Sequence, residues 1–496
     1  MSKLTPQSTD FSKWYNEIVL ASGLADYSDV KGCMIIKPYG YALWENIQKV
    51  MDEKIKELGV DNVYLPLLIP ESYFEKEKEH VKGFAPEVAW VTHAGGKKLD
   101  ERLAIRPTSE TIMYRTFARW IASYRDLPLK VNQWANVIRW EMRTRLFLRT
   151  TEFLWQEGHT LHETKEQADE MVQNALYMYK TFARDYLAMA VIDGRKSESE
   201  KFAGAEYTTS IEAMMKDKKA LQLGTSHLLA QNFAKSFEVK FLDKEGKEQT
   251  PWPTSWGVST RMIGGLIMAH GDDKGLIIPP NIAPIQVIIV PIWKDNSEKK
   301  IVKNYIEKLK EKLQGLKYKI DWDDGKSPGW KFNEWEMKGV PLRVEVGPKD
   351  EASNQIIAVR RDTGEKIKVN FKEAGNKIKE LIEEIQRNLL EKNAKFLKEN
   401  TREYSDYNKF KQDINKENFF ALVNWCGDAK CEDKVKNDTK ATTRVCLQAE
   451  QNHGEKKCLF IRCLQGWARR FFMTIGLKVL PAKNYKMLIC SVCLTA

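Results

Sequence analysis

Apolar residues recur at helical spacing in three long segments of the first half of the chain. Residues 41–58, 111–124 and 163–188 each place large apolar side chains three or four positions apart, which is the period of an amphipathic helix. In the third segment, for example, the stripe includes Ala168 and Val172. Stripes of this kind are typical of core packing, so the pattern predicts three helices that each bury one side.

Two other segments have side chains that alternate as they do in strands. Residues 129–142 form the first, the second starts at 149, and the loop 143–148 would join them into a hairpin. One face of the second strand would carry Arg149, Thr151, Phe153, Trp155, Glu157 and His159. Trp140 is expected in the core, because it falls on the strand face opposite Arg139.

The pattern changes near 280–284, where the proline-rich text "IIPPNIAPIQ" is typical of a linker. Beyond it, apolar strands are predicted at 285–292, 316–322, 341–346, 355–360 and 366–370, with charged amphipathic helices at 297–314 and from about 373 to 399. Strands that alternate with helices predict a small α/β domain. The chain is therefore divided into residues 1–280, 281–399 and a third unit at 400–496.

Composition narrows the class of protein. The chain of 496 residues is 43% hydrophobic and 30% charged, which is typical of a globular protein with two or three domains. Its longest apolar run, 282–293, contains Gln286 and is too short to cross a bilayer. The first residues lack the apolar segment of a secretory signal, so a cytoplasmic protein without membrane contact is expected. The net charge of +11 fits a polyanionic partner, or equally lysine-rich solvated faces.

The eight cysteines are distributed unevenly. Cys33 is the only one before Cys426, and all the others follow that position. In a cytosolic protein, such clustering favours metal binding over disulfides.

Common nucleotide-binding and metalloprotease motifs are missing from the sequence. Gly325-Lys326-Ser327 ends like a phosphate loop, but Ile320 stands where that loop needs a glycine. The sequence also lacks Gly-x-Gly-x-x-Gly and His-Glu-x-x-His. Any ATP chemistry must therefore use another architecture.

The segment 139–160 contains four arginines and no lysine. A guanidinium group grips phosphate or carboxylate oxygens with a planar pair of donors, whereas lysine supplies a point charge. The segment therefore predicts a fixed oxyanion site, with an exposed salt-bridged hairpin as the alternative. "RPTSE" (106–110), "LQLGTSH" (221–227) and "SWGVSTRMIGG" (255–265) supply further hydroxyl, glycine and charged residues just ahead of predicted helices.

Together these segments resemble the prolyl-tRNA synthetases, a family of class II aminoacyl-tRNA synthetases, and within it the archaeal and eukaryotic type. The similarity continues through "EKFAGAEYTTSIEAM", "DDGKSPGWKFNEWEMKGVPLR" and "NWCGDAKCEDKVKNDTKATTR". It implies an α/β fold class: an α+β catalytic domain (1–280) with the class II antiparallel sheet flanked by helices, an α/β anticodon-binding domain (281–399) and a small C-terminal zinc-binding domain (400–496). Residues 464–496 do not resemble the usual ending of the family.

The resemblance implies an ATP-dependent, AMP-forming proline–tRNA ligase. The enzyme would use ATP with Mg²⁺ to activate L-proline, transfer it to tRNA(Pro), and act as a homodimer. The short segment between Glu152 and Arg261 leaves no room for the large editing insertion of the bacterial type. A non-catalytic or impaired tRNA-binding paralogue is the alternative, although such a protein is expected to lose Arg139, Glu110 or Arg261.

The resemblance also assigns roles to individual residues. Motif 1 corresponds to 41–58 and the strand that ends at Pro66, and implies dimer formation. The residues implied in catalysis are Arg139, Glu141 and Arg261. Those implied in ATP binding are Arg139, Glu141, Arg149, Thr150, Gln222, Thr225, Ser259 and Arg261, with Gln222 near magnesium. The proline pocket would contain Thr108, Glu110, Arg139, Trp155, Glu157, His159, Phe202, His227, Ser255 and Gly257.

Two further sites are implied in the rest of the chain. The anticodon would be read by Trp330, Lys331, Phe332, Glu334 and Arg343, whereas Trp335 is expected in the core. Structural Zn²⁺ would be bound by Cys426, Cys431, Cys458 and Cys463. The second cysteine pair has four intervening residues instead of the usual two, a spacing that structural zinc tolerates.

Overall fold

The computed structural model describes residues 4–78, 88–447 and 485–491, and only the backbone of residues 75–78 and 485–491. Contacts divide the chain into two compact units. The first contains Met1–Asp52, Phe182–Ala190 and Ile263–Phe396, and the second contains Glu53–Thr181, Val191–Met262 and Leu397–Ala496. Among the helices that the structure describes, none has both the length and the apolar content needed to cross a membrane.

Helices and strands are interspersed throughout the described part of the chain. The strands are β1 (Ala25–Tyr27), β2 (Met34–Ile36), β3 (Asp61–Asn62), β4 (Leu68–Pro70), β5 (Trp90–Ala94), β6 (Lys97–Ile105), β7 (Leu129–Ile138), β8 (Glu152–His162), β9 (Val191–Arg195), β10 (Ala205–Met214), β11 (Ala220–Leu229), β12 (Phe241–Leu242), β13 (Glu248–Gln249), β14 (Trp252–Ser259), β15 (Val287–Pro291), β16 (Tyr318–Ile320), β17 (Leu342–Val346), β18 (Gln355–Arg360), β19 (Lys366–Asn370), β20 (Thr401–Tyr404), β21 (Phe420–Trp425), β22 (Ala441–Leu447) and β23 (Tyr485–Ser491). The α-helices are α1 (Phe11–Ala21), α2 (Pro38–Glu57), α3 (Glu71–Lys78), α4 (Glu110–Trp120), α5 (Lys165–Asp185), α6 (Asn232–Ser236), α7 (Arg261–His270), α8 (Asn296–Lys312), α9 (Pro328–Met337), α10 (Pro348–Ala352), α11 (Ala374–Glu399), α12 (Tyr407–Ile414) and α13 (Ala429–Thr439).

The three apolar stripes form the predicted helices α2, α4 and α5. Most of their stripe residues are buried, as Leu43, Ile47 and Phe117 illustrate, although Trp120 at the end of α4 is 47% exposed. Helix α4 ends earlier than the pattern suggests, because Ile121 takes an extended conformation and the chain then forms a short 3-10 turn capped by Ser123.

An eleven-stranded sheet forms the framework of the second unit, in the order β20-β21-β23-β22-β9-β10-β11-β14-β8-β7-β3. Its neighbours run antiparallel except for the parallel pairs β3/β7 and β20/β21. Helix α5 covers one face of the central strands, where Tyr179 Oη donates a hydrogen bond of 2.6 Å to Gln156 Oε1. The odd-numbered positions of β8 lie on the opposite face. Because α5 does not cover that face, it is available to bind a substrate.

The predicted arginine-bearing hairpin is present, but its connection is longer than expected. Strand β7 ends at Ile138 and β8 begins at Glu152, so the four arginines lie on the loop between them. A tight turn closes this loop, since Arg145 N donates to Arg149 O at 2.6 Å and Arg149 N donates to Arg145 O at 2.9 Å. Thr151, predicted on a strand face, also belongs to the loop.

The prediction for Trp140 was wrong. The side chain is 52% exposed because the strand ends before this residue. Strand alternation therefore does not apply there.

Strands β20 to β23 extend the large sheet and do not form a separate one. Cys446 of β22 pairs with Arg195 of β9. A Cβ on Gly194 would lie 2.5 Å from the carbonyl oxygen of Cys446, so this junction requires glycine. The segment after residue 400 is thus joined to the strands of the first half by direct backbone contact.

A five-stranded sheet, in the order β16-β15-β17-β18-β19, organises the last part of the first unit. Strands β16, β15 and β17 are parallel, and β17, β18 and β19 are antiparallel. All five strands and the two long helices α8 and α11 occur where they were expected, with small shifts of their ends. Helix α9 was not anticipated: Ser327 caps it by accepting from Trp330 N, and Pro328 occupies its first turn.

Candidate active site

One face of the large sheet brings the candidate proline and ATP residues into adjacent rows. Across β11, β14 and β8 these rows are His227, Ser255 and His159; then Thr225, Gly257 and Glu157; then Ser259 beside Trp155 on the last two strands. A bulge in β11 returns Gln222 to the same face, where it pairs with Glu212 of β10. Because adjacent strands lie about 4.8 Å apart, residues of one row are direct neighbours.

The carboxylate of Glu157 lies near the centre of this face and is only half satisfied. Its Oε1 accepts hydrogen bonds from Ser109 Oγ at 2.5 Å and from Gln133 Nε2 at 2.9 Å. Its Oε2 is buried and has no hydrogen-bond partner among the described residues. A buried oxygen of this kind is costly unless a ligand completes its bonding.

The segment 106–110 is fastened to the same region. Ser109 occupies the N-cap position of α4 but makes no capping bond, because its hydroxyl is directed to Glu157. Thr108 Oγ1 donates to Glu110 Oε2. The Ser109 hydroxyl therefore contacts the candidate site and does not stabilise the start of α4, as a serine at this position usually does.

Arg139 joins this segment to the aromatic wall of the site. Its Nε donates to Pro107 O at 2.9 Å, and its guanidinium carbon lies 5.5 Å from the ring centre of Phe153 and 5.4 Å from that of Trp155. These ring contacts orient a cation that is still exposed at the surface of the site.

His227 is held as a neutral imidazole. Burial, together with the neighbouring His159, lowers the pKa of His227 to about 3. Its Nδ1 lies 2.9 Å from Thr208 Oγ1, which accepts a hydrogen bond from Phe202 N. A neutral imidazole has one donor and one acceptor nitrogen, so it can form one hydrogen bond of each kind. The Phe202 ring centre lies 4.9 Å from the His227 ring centre.

The remaining candidate ATP residues meet around the arginine loop. Arg149 Nε donates to Glu141 Oε2 at 2.5 Å. Arg261 Nε donates to Leu148 O at 3.1 Å, and its backbone N–H donates to Ser259 Oγ at 3.3 Å. Arg261, at the start of α7, is thus tied to the loop that carries Arg149.

Thr150 differs from its expected role. Its hydroxyl donates to Glu152 O at 2.7 Å, and the residue is buried. The side chain therefore bonds the main chain two residues further along.

Sequence reasoning missed several residues that build the site. Ser109, Gln133 and Thr208 each bond a candidate residue directly. Gln133 was detectable, because it is a polar residue in the middle of a predicted strand. Tyr114 was hidden within the α4 stripe; burial and then Glu110 raise its pKa well above the ordinary value, and its hydroxyl has no partner in the described part of the chain.

The candidate anticodon residues belong to the first unit, and the structure separates them. Trp330 is 38% exposed, with Lys326 Nζ 4.1 Å from its ring centre. The Arg343 guanidinium lies 4.3 Å from the Phe332 ring centre, and both line a cavity of about 280 Å³. Glu334 is held between Lys326 and Lys338, at 3.0 and 2.8 Å.

Lys331 does not fit a role on the surface. It is 2% exposed, and its Nζ donates to Asp321 O at 2.9 Å. Trp335 is buried as expected, with its Nε1 donating to Asp321 Oδ2 at 2.8 Å. The turn of α9 that carries both residues faces the interior of the domain.

The first candidate zinc pair is close together. Cys426 Sγ and Cys431 Sγ are 3.5 Å apart, similar to the separation of two sulfur ligands that bind a tetrahedral zinc at about 2.3 Å each. Cys458 and Cys463 lie outside the described residues. Within residues 4–78 and 88–447, no group of three or more ligand side chains is arranged to hold a metal ion.

Comparison with known protein families gives three matches in chain order. Residues 90–270 match the tRNA synthetase class II core domain (G, H, P, S and T), residues 286–381 match the anticodon binding domain, and residues 407–468 match the domain described as prolyl-tRNA synthetase, C-terminal. The first range contains every candidate proline and ATP residue.

Similar proteins extend over nearly the full length of the chain. Proline--tRNA ligase 2 of Clostridioides difficile (strain 630) is 52% identical over 462 residues, 93% of this chain and 95% of the relative. Proline--tRNA ligase of Prosthecochloris aestuarii (strain DSM 271 / SK 413) is 54% identical over 444 residues, 89% of this chain and 92% of the relative. Proline--tRNA ligase 2 of Bacillus thuringiensis (strain Al Hakam) is 52% identical over 457 residues, 92% of this chain and 95% of the relative.

Proposed function

The chain belongs to the proline–tRNA ligase family, and we propose that the face formed by β8, β11 and β14 is where it binds proline and ATP. The enzyme activates L-proline with ATP to give prolyl-adenylate and pyrophosphate. It then transfers the prolyl group to the 3′ end of tRNA(Pro), with release of AMP.

The observation that carries this placement is a group of unsatisfied polar atoms on one strand. Trp155 Nε1, Glu157 Oε2 and His159 Nδ1 are buried and lack hydrogen-bond partners among the described residues. They occupy alternate positions of β8 and therefore line the same face. Buried polar atoms without partners are rare in folded proteins, so three in succession favour a small polar ligand.

Proline has the matching chemistry. Its secondary ammonium group suits the carboxylates of Glu110 and Glu157 and the hydroxyl of Thr108. Its flat apolar ring suits the faces of Trp155 and Phe202. Its carboxylate suits the guanidinium group of Arg139. Ser255 and Gly257 occupy alternate positions on β14. A Cβ on Gly257 would lie only 2.9 Å from Gln156 O, so a larger residue would not fit there without a shift.

ATP is placed against the arginine loop in this proposal. Arg139 would contact the α-phosphate, and Arg149 and Arg261 the remaining phosphates, with Glu141 fixing Arg149. Gln222, Thr225 and Ser259 would contact the nucleotide from the sheet. Mg²⁺ bound with ATP neutralises phosphate charge, and the side-chain oxygen of Gln222 is the type of ligand that this ion accepts.

The chemistry needs positioning and charge stabilisation more than proton transfer. The carboxylate oxygen of proline attacks the α-phosphorus of ATP, and the bond to pyrophosphate breaks. A hydroxyl of the terminal tRNA ribose then attacks the activated carbonyl carbon, and AMP leaves. Fixed guanidinium groups stabilise the charge that develops on the phosphorus oxygens.

Proline-dependent exchange of pyrophosphate into ATP, followed by charging of tRNA(Pro), tests the function. Both activities are expected. Exchange without charging would favour an impaired paralogue, and neither activity would favour a non-catalytic one.

The archaeal and eukaryotic type, without an editing insertion, is part of the proposal. The elements between Glu152 and Arg261, which are β8, α5, β9 to β14 and α6, are all short or belong to the large sheet and its cover. Because a small pocket separates close analogues by only about 1–3 kcal/mol, alanine should be activated measurably. Hydrolysis of alanyl-tRNA(Pro) by the purified enzyme would contradict this assignment.

A homodimer is also proposed, through motif 1. The strand region that follows α2 exposes apolar residues that a partner copy would cover: Tyr64 is 72% exposed and Leu68 is 39% exposed. Light scattering of the wild type should give the dimer mass. Tyr64→Glu should shift the mass toward the monomer, whereas Tyr177→Glu, at a residue that is 67% exposed on α5, should not.

The remaining assignments follow the three family matches. We infer a catalytic domain at 1–280, an anticodon-binding domain at 281–399 and a zinc-binding domain at 400–496. Trp330, which is exposed, and Phe332 and Arg343, which line the cavity, are the strongest candidates for contacts with anticodon bases, because aromatic and guanidinium groups stack on unpaired bases. Cys426 and Cys431 would supply half of the zinc ligands.

A further inference from the structure

A buried cluster of charges joins the C-terminal segment to the edge of the candidate ATP site. Glu212 of β10 accepts from Lys196 Nζ at 2.7 Å on Oε1, and from Arg444 Nη2 and Nε at 2.8 and 3.0 Å on Oε2. Ser210 Oγ donates to Oε1 at 2.9 Å. Glu212 is fully buried, and the side chains of Lys196 and Arg444 are 3% and 4% exposed. The carboxylate therefore has a complete set of partners.

The pairing keeps Glu212 charged in the interior. Burial alone would raise its pKa, but the two cations outweigh burial and lower it. Buried ion pairs often add little net stability, yet removal of one partner is strongly unfavourable because it leaves a charge uncompensated. We therefore expect the cluster to fix the position of β10 relative to the residues around it more than to stabilise the fold.

The cluster lies directly beside the candidate nucleotide residues. In the register of β10 and β11, Glu212 pairs with Gln222 and Ser210 pairs with Thr225. The bulge that returns Gln222 to the site face falls between these two pairs. A bulge is a point where a strand can change its register and aim, so the neighbouring strand must be held for Gln222 to keep its orientation.

A second buried contact holds the same region from the C-terminal segment. Glu432 of α13 accepts from Ser197 Oγ at 2.8 Å, just after β9, and from Thr443 Oγ1. Arg444 and Glu432 therefore hold β9 and β10 at two separate points. Both come from the part of the chain that follows the anticodon-binding domain.

We propose that Glu212, held by Arg444 and Lys196, is a positioning residue for ATP: it fixes β10 against β11 so that Gln222 and Thr225 meet the nucleotide. This inference rests on the proposed placement of ATP. It makes the C-terminal domain, through Arg444, a required support of the catalytic site.

Glu212→Gln and Arg444→Met test the proposal, because both keep side-chain size and remove charge. Pyrophosphate exchange should show a KM for ATP raised about five- to twentyfold, which lies within the range of coupling between residues of one network. The KM for proline should change less than about twofold. Arg444→Lys should restore part of the ATP affinity, since it keeps the charge but loses the two-pronged contact.

Glu417→Gln provides a matched control. Glu417 also joins the C-terminal segment to the β10–β11 hairpin, through Lys218 at 3.3 Å, and it bonds Arg402 at 2.6 Å. This bridge is exposed and lies at the turn of the hairpin, away from the Gln222 row. The KM for ATP should stay within about twofold of the wild type, as expected for an exposed pair.

Two outcomes would overturn the proposal. In one, Glu212→Gln lowers thermal stability without a change in the KM for ATP. In the other, it raises both KM values equally. Gln222→Ala, measured in parallel, separates this inference from its premise: if Gln222→Ala leaves the KM for ATP unchanged, the placement of ATP has failed. If Arg444→Met does not fold, the nearly isosteric Glu212→Gln carries the test.

Discussion

Glu157 Oε2 lies 3.5 Å from Nε2 of His159, two positions along the same strand, and both side chains are almost completely buried. The oxygen makes no hydrogen bond to any described residue, and neither does His159 Nδ1. Two adjacent polar groups are therefore buried and incompletely bonded by the described residues, although Ser109 and Gln133 satisfy the other oxygen of the same carboxylate. This asymmetry leaves one oxygen for a ligand.

Glu157→Gln should weaken proline binding more than folding. The amide fits the same space, but its NH₂ group must face either a donor or the substrate ammonium, and it has no charge to offer. Loss of a charged hydrogen bond predicts a KM for proline raised about ten- to hundredfold in pyrophosphate exchange. An unchanged KM for proline would exclude Glu157 from the pocket.

Arg139→Lys should reduce adenylate formation by about a hundredfold or more, because lysine cannot reproduce the paired donors at the α-phosphate and the carboxylate. Arg143→Lys is the control on the same loop, where the side chain is exposed, and it should retain exchange activity. If Arg139→Lys keeps exchange within a few-fold of the wild type, the role of Arg139 is wrong.

Acid should destabilise the fold through buried histidines. Burial, with Lys130, lowers the pKa of His162 from 6.5 to about 4. Between these values the unfolded chain binds a proton that the folded chain does not. The contribution of His162 to the free energy of unfolding is therefore fully present above pH 6.5. It falls as the pH drops toward 4, by about 1.4 kcal/mol per pH unit for each such histidine.

Urea unfolding at a series of pH values checks this expectation for His162. His162→Gln keeps a hydrogen-bonding side chain but cannot titrate, so its stability should depend less steeply on pH than that of the wild type. Equal slopes for the two proteins would contradict the prediction.

Gly158→Ala should damage both the fold and the site. An added Cβ would lie 2.2 Å from the ring of Trp256, which is itself buried. The collision should cost about 1–3 kcal/mol of stability, and because Gly158 separates Glu157 from His159, proline affinity should fall as well. Gly329→Ala, where a Cβ would meet nothing within 4 Å, should leave stability nearly unchanged or slightly higher.

Cys426→Ser tests the zinc assignment. Metal analysis of the purified wild type should find about one zinc ion per chain, as a four-cysteine structural site requires. The variant should lose it, whereas Cys33→Ser should retain it. A wild type without zinc, or a Cys426→Ser variant that keeps it, would contradict the site.

The sequence predicted the elements more reliably than their ends. Helices α2, α4 and α5 followed from side-chain periodicity, because a buried stripe has the same period as the helix. The prediction failed at the end of β7. Side chains continue to alternate in the sequence past Ile138, but the strand ends there, so Trp140 is exposed. Lys331 was misjudged for a related reason, since charge alone does not reveal that Asp321 lies below it in the fold.

The candidate site was partly visible from sequence. Arg139, Glu157 and His159 followed from the resemblance, and the structure brings them together. Ser109 and Thr208 were not distinguishable from ordinary cap and strand residues, because their importance depends on contacts with residues far along the chain. The pairing of Glu212 with Arg444 spans more than two hundred residues, and no local pattern encodes it.

The junction between Gly194 and Cys446 has a consequence for truncated proteins. Strand β22 covers the border of β9, and a chain cut near residue 400 would leave that border with open backbone N–H and C=O groups. Such an edge is a template for pairing with another chain. A shortened enzyme should therefore self-associate, and light scattering of such a protein should show species larger than those of the full chain.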